Sequence, residues 1–231
     1  MTLDWSVFDK IYCINLIHRD DRFAHVKNIF KKININAEFY RPEKDKESGL
    51  RGCFNSHLHI LNEGYKKGYK NILVFEDDII YNKTISQTSI DRCEDFMSKN
   101  KVWDILYLGA VPDLRQSDIT IVEDGIYKLI GLCTHAVCYS NRFMRKMKNE
   151  KWSGIQLDYY YRKFNYQYAI YPSIFYQGGF KSDISNGIIN KLSFLHETYF
   201  RLLEMYSYNI KLQPKLFMIV VLCFILKIVV Q

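Results

Sequence analysis

A chain of 231 residues has room for one domain with a sizeable core and too little for two full ones. Its formal charge of +7 suits a phosphate-bearing ligand, an anionic membrane surface, or nothing more than solubility. It has no Lys/Arg-rich tract interleaved with stacking aromatics, which argues against a nucleic-acid partner.

In chain order, Met1 to Lys10 carries Asp4 and Asp9 and does not read as a signal peptide. Residues 11–16 are predicted as the first strand, and Asp20 or Asp21 as the cap of a helix carrying Phe23, Val26, Ile29 and Phe30. His18, Arg19 and Arg22 lie between the two, where a helix N-terminus and arginines can hold an anion; the plainer alternative is a solvated basic turn. Residues 38–40 form a short strand and residues 42–49 a charged loop. A second helix follows Gly52, with Leu58, Leu61 and Tyr65 on one face, and is closed by Gly64 and Gly68. Taken alone, Ser56 reads as its cap and His57 as a structural histidine. Residues 71–75 are then a strand buried on both faces.

Beyond it, residues 103–109, 125–130 and 134–139 are further strands, and Ser140 caps a helix with Phe143, Met144 and Met147. Leu157, Tyr160, Tyr161 and Phe164 give another helix, with Asp158 near its start, where it can complement the dipole. Residues 168–177, holding Pro172, read as an edge strand. Leu195, Tyr199, Leu202, Leu203 and Tyr206 mark an amphipathic helix. The run 216–230, broken only by Lys227, is expected to anchor the chain to a membrane; the alternative is a last core element. Pro214 separates it from the preceding helix, and Lys211 and Lys215 predict a cytoplasm-facing domain. Strands alternating with helices predict an α/β fold.

Six cysteines include no Cys-x-x-Cys pair, which argues against zinc, and Cys13 reads as a reduced core residue. Asn82-Lys83-Thr84 is a glycosylation sequon, relevant only in a secretory lumen.

The chemistry is concentrated at Glu76-Asp77-Asp78, directly after the buried strand. Ligands of open α/β sheets sit at the carboxyl ends of strands. Three adjacent carboxylates repel one another unless a cation joins them. Strand alternation puts Glu76 and Asp78 on one side and Asp77 on the other, and the pair suits a hard divalent ion with phosphate and water completing its shell; the plainer alternative is an acidic loop on a solvated turn.

Ile14-Asn15-Leu16 with Arg19, Asp21 and Arg22, then Gly52-Cys53 with Ser56-His57, then Val74 to Asp78, together resemble glycosyltransferase family 25, the family of lipooligosaccharide and collagen galactosyltransferases. Residues 103–109, Thr134-His135-Ala136 and Ser182-Asp183-Ile184 continue the resemblance in order, over about residues 9–186. It implies a GT-A-like fold with a Rossmann-like nucleotide-sugar-binding sheet, a UDP-sugar donor, Mn²⁺ (or Mg²⁺), a glycan or protein acceptor, and inversion at the anomeric carbon. Glu76 and Asp78 would hold the metal, with Glu76 alternatively on the ribose. Asn15, Leu16, Arg19, Arg22, Ser56, His57 and Asp77 would bind the nucleotide-sugar, and Asp158 or Asp183 would be the catalytic base. Tyr159 departs from the acidic residue the family places after that aspartate. The expected layout is a catalytic domain at 1–190, a helical segment at 191–213 and the apolar tail at 214–231. The competing reading is a non-catalytic, membrane-tethered binder of nucleotide-sugar or glycan. A nucleotidyltransferase is disfavoured, because no Gly-rich phosphate loop with a lysine lies near the N-terminus.

Overall fold

The computed structural model describes residues 2–113, 119–180 and 183. The first half alternates as expected: β1 (Lys10–Ile14), α1 (Asp20–Ile33), β2 (Glu38–Tyr40), α2 (Gly49–Lys66), β3 (Asn71–Glu76), β4 (Ile79–Tyr81) and α3 (Gln87–Lys99). Then come β5 (Ile105–Pro112), β6 (Thr120–Glu123), β7 (Ile126–Lys128), β8 (Gly131–Ser140), α4 (Asn141–Met147), α5 (Leu157–Tyr161), β9 (Gln167–Ile170) and β10 (Phe175–Gln177). Eight strands form one sheet in the order β2-β1-β3-β8-β5-β9-β7-β6, and β10 pairs with β4 in a small second sheet. β1 runs parallel to β2 and β3, and β5 parallel to β9. β8 lies antiparallel between β3 and β5. This is the expected α/β class, a large mixed sheet flanked by helices.

Alternation along β3 explains why it lies at the centre. Leu73 and Phe75 enter the apolar cluster containing Val26, Ile29 and Phe30 of α1 and Ile90 and Phe96 of α3. Ile72 and Val74 enter the opposite cluster, with Phe54 and Leu61 of α2, Phe143 and Met147 of α4, and Tyr161 of α5. All four are fully buried, each contributing roughly 1.5–3 kcal/mol. The sheet is thus covered on both faces, and the polar residues after β3 are pushed to its carboxyl edge.

Two buried polar or tight positions lock the second half. Asp104 has no exposed surface and pairs with Arg142 at 2.8 Å and Lys146 at 2.7 Å, fastening α4 to the start of β5. At Gly109 a Cβ would lie 1.9 Å from the Phe175 carbonyl oxygen and 2.7 Å from His135 Nε2, so only glycine lets the β10 backbone pass.

Several expectations are corrected. Asp20 and Asp21 lie in the first turn of α1, whose N-cap is Arg19. α2 starts at Gly49, and Ser48 accepts a hydrogen bond from the Arg51 N–H as its cap. Ser56 is inside that helix and donates to the Gly52 carbonyl at 2.7 Å. Gly64 is also internal, packed against Met144 and Ile72; Gly68, at φ +72°, follows the helix. The predicted edge strand at 168–177 is two strands. β9 is an interior strand between β5 and β7, and Pro172 falls in the connection to β10. Asn82 is buried and donates to the Ser173 carbonyl and the Tyr176 hydroxyl, so the sequon is closed in the folded chain. The helix expected near 195–206 and the apolar run 216–230 lie outside the described residues. Among the described residues no helix is long and apolar enough to cross a membrane.

Candidate active site at the carboxyl edge of the sheet

A cavity of about 110 Å³ lies beyond β1 and β3, walled by Leu16, Arg22, Ser56, His57, Gln177 and the three carboxylates Glu76, Asp77 and Asp78. The cavity is partly open to solvent. A complete nucleotide-sugar fills several times that volume and would extend across open surface.

The chain turns at residues 77–78, so the strict alternation expected for the triplet ends at Glu76. Asp77 is buried and bridged by Arg22 at 2.7 Å and by the Asn15 amide at 2.7 Å. Arg22 also reaches Asp78 at 3.5 Å. Asn15 has no exposed surface and donates as well to the Arg19 carbonyl, so it positions Asp77. Burial pushes the Asp77 carboxyl up, against the pull of Arg22.

Asp78 is the most perturbed of the three. Its Oδ2 accepts from Gln177 at 3.2 Å, while its Oδ1 is buried with no hydrogen-bond partner among the described residues. Burial first, and the neighbouring Glu76 charge second, push its pKa up to about 7. A buried carboxylate oxygen left unpartnered is costly unless a cation fills the position. The donor set therefore fits a hard divalent ion at Asp78.

Glu76 accepts from the Thr134 hydroxyl at 2.6 Å and lies 3.3 Å from His57 Nε2. Burial raises its pKa, but His57 and Thr134 outweigh that and hold it low. His57 Nδ1 meets the Tyr139 hydroxyl at 3.1 Å. His57 is thus a satisfied, fully buried histidine that also lines the cavity. Thr134 reaches Glu76 just after Cys133, whose φ of +72° is a left-handed conformation unusual for a side-chain-bearing residue.

The two candidate bases separate. Asp183 lies on the cavity wall but is already engaged: it pairs closely with Arg19 and lies 3.3 Å from both His18 and Lys44. Burial raises its carboxyl, but the Arg19 guanidinium and the hydrogen bonds from these neighbours outweigh that and hold it below the usual range. Arg19 is itself shared between Asp183 and Asp21. Asp158 lines a second cavity with Leu50, Cys133 and Gln156; Cys53, Glu76 and Gln177 border both cavities. Burial raises the Asp158 carboxyl, against hydrogen bonds from the Cys133 and Tyr159 amides.

Gln177 and Lys44 are not among the expected site residues. Gln177 ends the segment expected as a plain edge strand, and Lys44 lies in the charged loop at 42–49.

No family model matches the chain. It is similar to a Rattus norvegicus protein described as a probable inactive glycosyltransferase 25 family member 3, at 36% identity over 44% of this chain and 23% of the relative. It is 23% identical to Danio rerio procollagen galactosyltransferase 1, over 44% of this chain and 21% of that protein. It is 27% identical to Xenopus laevis procollagen galactosyltransferase 1-A, over 55% and 27%. The chain therefore spans about a quarter of the length of these relatives. Among solved structures, A197 from STIV aligns with a TM-score of 0.47 at 13% identity, over 73% of this chain and 84% of that one. In sequence, the chain resembles members of glycosyltransferase family 25.

Proposed function

We propose that this chain is a metal-dependent glycosyltransferase that moves a hexose, galactose or glucose, from a UDP-sugar to a hydroxyl of a glycan or protein acceptor, with inversion. The observation that carries the reading is Asp78: a buried carboxylate with one oxygen unpartnered among the described residues, at the carboxyl edge of the sheet, beside Glu76 and on the cavity wall. The likeness to procollagen galactosyltransferases supports it.

Asp78, with Glu76, would hold Mn²⁺ or Mg²⁺, which when bound neutralises charge developing on the departing diphosphate. Arg22 keeps Asp77 and Asp78 close despite their repulsion. Leu16, Ser56 and His57 wall the same space, and Arg19 and Lys44 stand at its rim beside Asp183. Asp158 serves as the base: its raised pKa brings it nearer neutrality, where proton transfer from an acceptor hydroxyl is most effective. Asp183, already paired with Arg19 and Lys44, is better suited to organising that basic rim.

The experiment is incubation of the chain with a panel of UDP-sugars, Mn²⁺ and glycan or hydroxylysine acceptors, following UDP release. Mn²⁺-dependent release supports the reading; no release with any donor removes it. A second reading, a non-catalytic binder of nucleotide-sugar, is favoured by the relatives named inactive and by Tyr159 after Asp158. Saturable Mn²⁺·UDP binding without turnover on any acceptor would select it. Membrane attachment through the tail at 214–231 is part of the proposal for either reading.

A further inference from the structure

Among the described residues, one group of His, Cys, Asp and Glu side chains brings three metal-ligating atoms within 4.8 Å of one another: Cys53, His57 and Glu76. Only Glu76 belongs to the pair expected to hold the donor's ion. Cys53 and His57 are one helical turn apart on α2 and share a face. Glu76 meets that face from the end of β3.

We propose that Cys53, His57 and Glu76 form a site for a zinc-class divalent cation, distinct in character from the harder site at Asp78. The His57–Glu76 separation of 3.3 Å already matches neighbouring ligands around a tetrahedral ion, roughly 3.3–3.8 Å apart for bonds of about 2.0–2.3 Å. The other ring nitrogen of His57 meets the Tyr139 hydroxyl, which in turn receives a hydrogen bond from Tyr161. Outer partners of this kind fix a ligating imidazole. Thr134 fixes Glu76 in the same way. Sulfur, nitrogen and one oxygen select zinc over manganese or magnesium. Cys53 and Glu76 border both cavities, which leaves a fourth position open to water or ligand. On binding, the Cys53 S–H bond gives way to a sulfur–metal bond and its proton leaves to solvent. Because Glu76 is shared, an ion here withdraws it from Asp78, so zinc opposes manganese. The inference goes beyond the proposed transfer reaction, and its test requires no turnover.

The full chain is titrated with Co²⁺, a spectroscopic stand-in for zinc. The expected result is a thiolate-to-cobalt charge-transfer band in the near ultraviolet, saturating at one equivalent. Equimolar Zn²⁺ removes it, and a large excess of Mn²⁺ does not. Cys53→Ser abolishes the band with an unchanged circular-dichroism spectrum, whereas Cys133→Ser and Cys223→Ser retain it. His57→Asn weakens Co²⁺ binding by more than about tenfold, the loss typical even of an outer partner. No band in the unmodified chain, a band that survives Cys53→Ser, or one lost equally in Cys133→Ser overturns the proposal. Should Cys53→Ser fail to fold, the His57→Asn titration and the Zn²⁺/Mn²⁺ competition decide it.

Discussion

Replacing Asp78 by Asn should make the metal-free protein more stable above neutral pH. The Asp78 carboxyl is raised from 3.8 to about 7, first by burial and then by the Glu76 charge. A group whose folded pKa is raised stabilises fully below its unfolded pKa, and that contribution is lost as pH climbs through the folded value. The loss therefore runs from about pH 4 to about pH 7. At roughly 1.4 kcal/mol per pH unit, its upper limit is about 4 kcal/mol. Asn keeps an acceptor for Gln177 but gives up the 3.5 Å contact with Arg22, so a net gain of about 1–3 kcal/mol is expected at pH 8. For a chain of this length that is roughly 3–9 °C in Tm. The assay is thermal unfolding of both proteins in a chelating buffer from pH 4 to pH 8. The Tm difference should widen with pH and level off above about 7. Mn²⁺ with UDP should then raise the Tm of the unmodified protein and leave the variant unchanged. A pH-independent difference, or an Asn variant that loses ground at pH 8, would refute the argument that Asp78 carries an uncompensated buried charge.

Three further outcomes can be checked directly. Asp158→Asn should keep calorimetric Mn²⁺·UDP affinity and lower turnover by roughly a hundredfold or more, the scale of a lost general base; if Asp183→Asn shows that pattern instead, the two roles are exchanged. Gly109→Ala should lower stability by about 3 kcal/mol or more in a urea melt, because the added methyl meets backbone at Phe175 that cannot swing aside; a loss under about 1 kcal/mol would contradict that packing. If the chain is directed into a secretory lumen, Asn82 should remain unmodified once folded, and a glycosidase-sensitive mass shift abolished by Asn82→Gln would show that the buried amide is reached before folding.

The parts of the fold with one strong period were legible. β3 announced itself as an uninterrupted apolar run, and α4 by Ser140 ahead of three apolar residues at helical spacing. α3 was missed, although Ile90, Cys93 and Phe96 are buried, because polar residues dominate the rest of its sequence. Pro172 misled about β9: a proline argues for an edge only when it lies within the strand, and here it follows one. At the site, Glu76, Asp77 and Asp78 share a cavity as expected, but their partners come from distant segments. Nothing local in Asn15, Gln177 or Thr134 announces which carboxylate each will hold. Arg22 reads from sequence as a phosphate contact, and in the structure it spends its charge on Asp77 and Asp78. The trio at Cys53 was hidden because its third member lies on another element, so the spacing of cysteines alone argued against it.

The antiparallel placement of β8 between β3 and β5 has a kinetic consequence. The first half of the chain can build its parallel strands from nearby segments, but the centre of the sheet closes only when Phe75 finds Ala136, far along the chain. Closing so long a loop is slow relative to local pairing. Thr134 reaches Glu76 through that same registration, and Gln177 meets Asp78 from still farther along the chain, so the ligand pocket depends on long-range contacts. In a stopped-flow refolding experiment, recovery of Mn²⁺·UDP binding should trail the return of helical signal and coincide with the slowest phase.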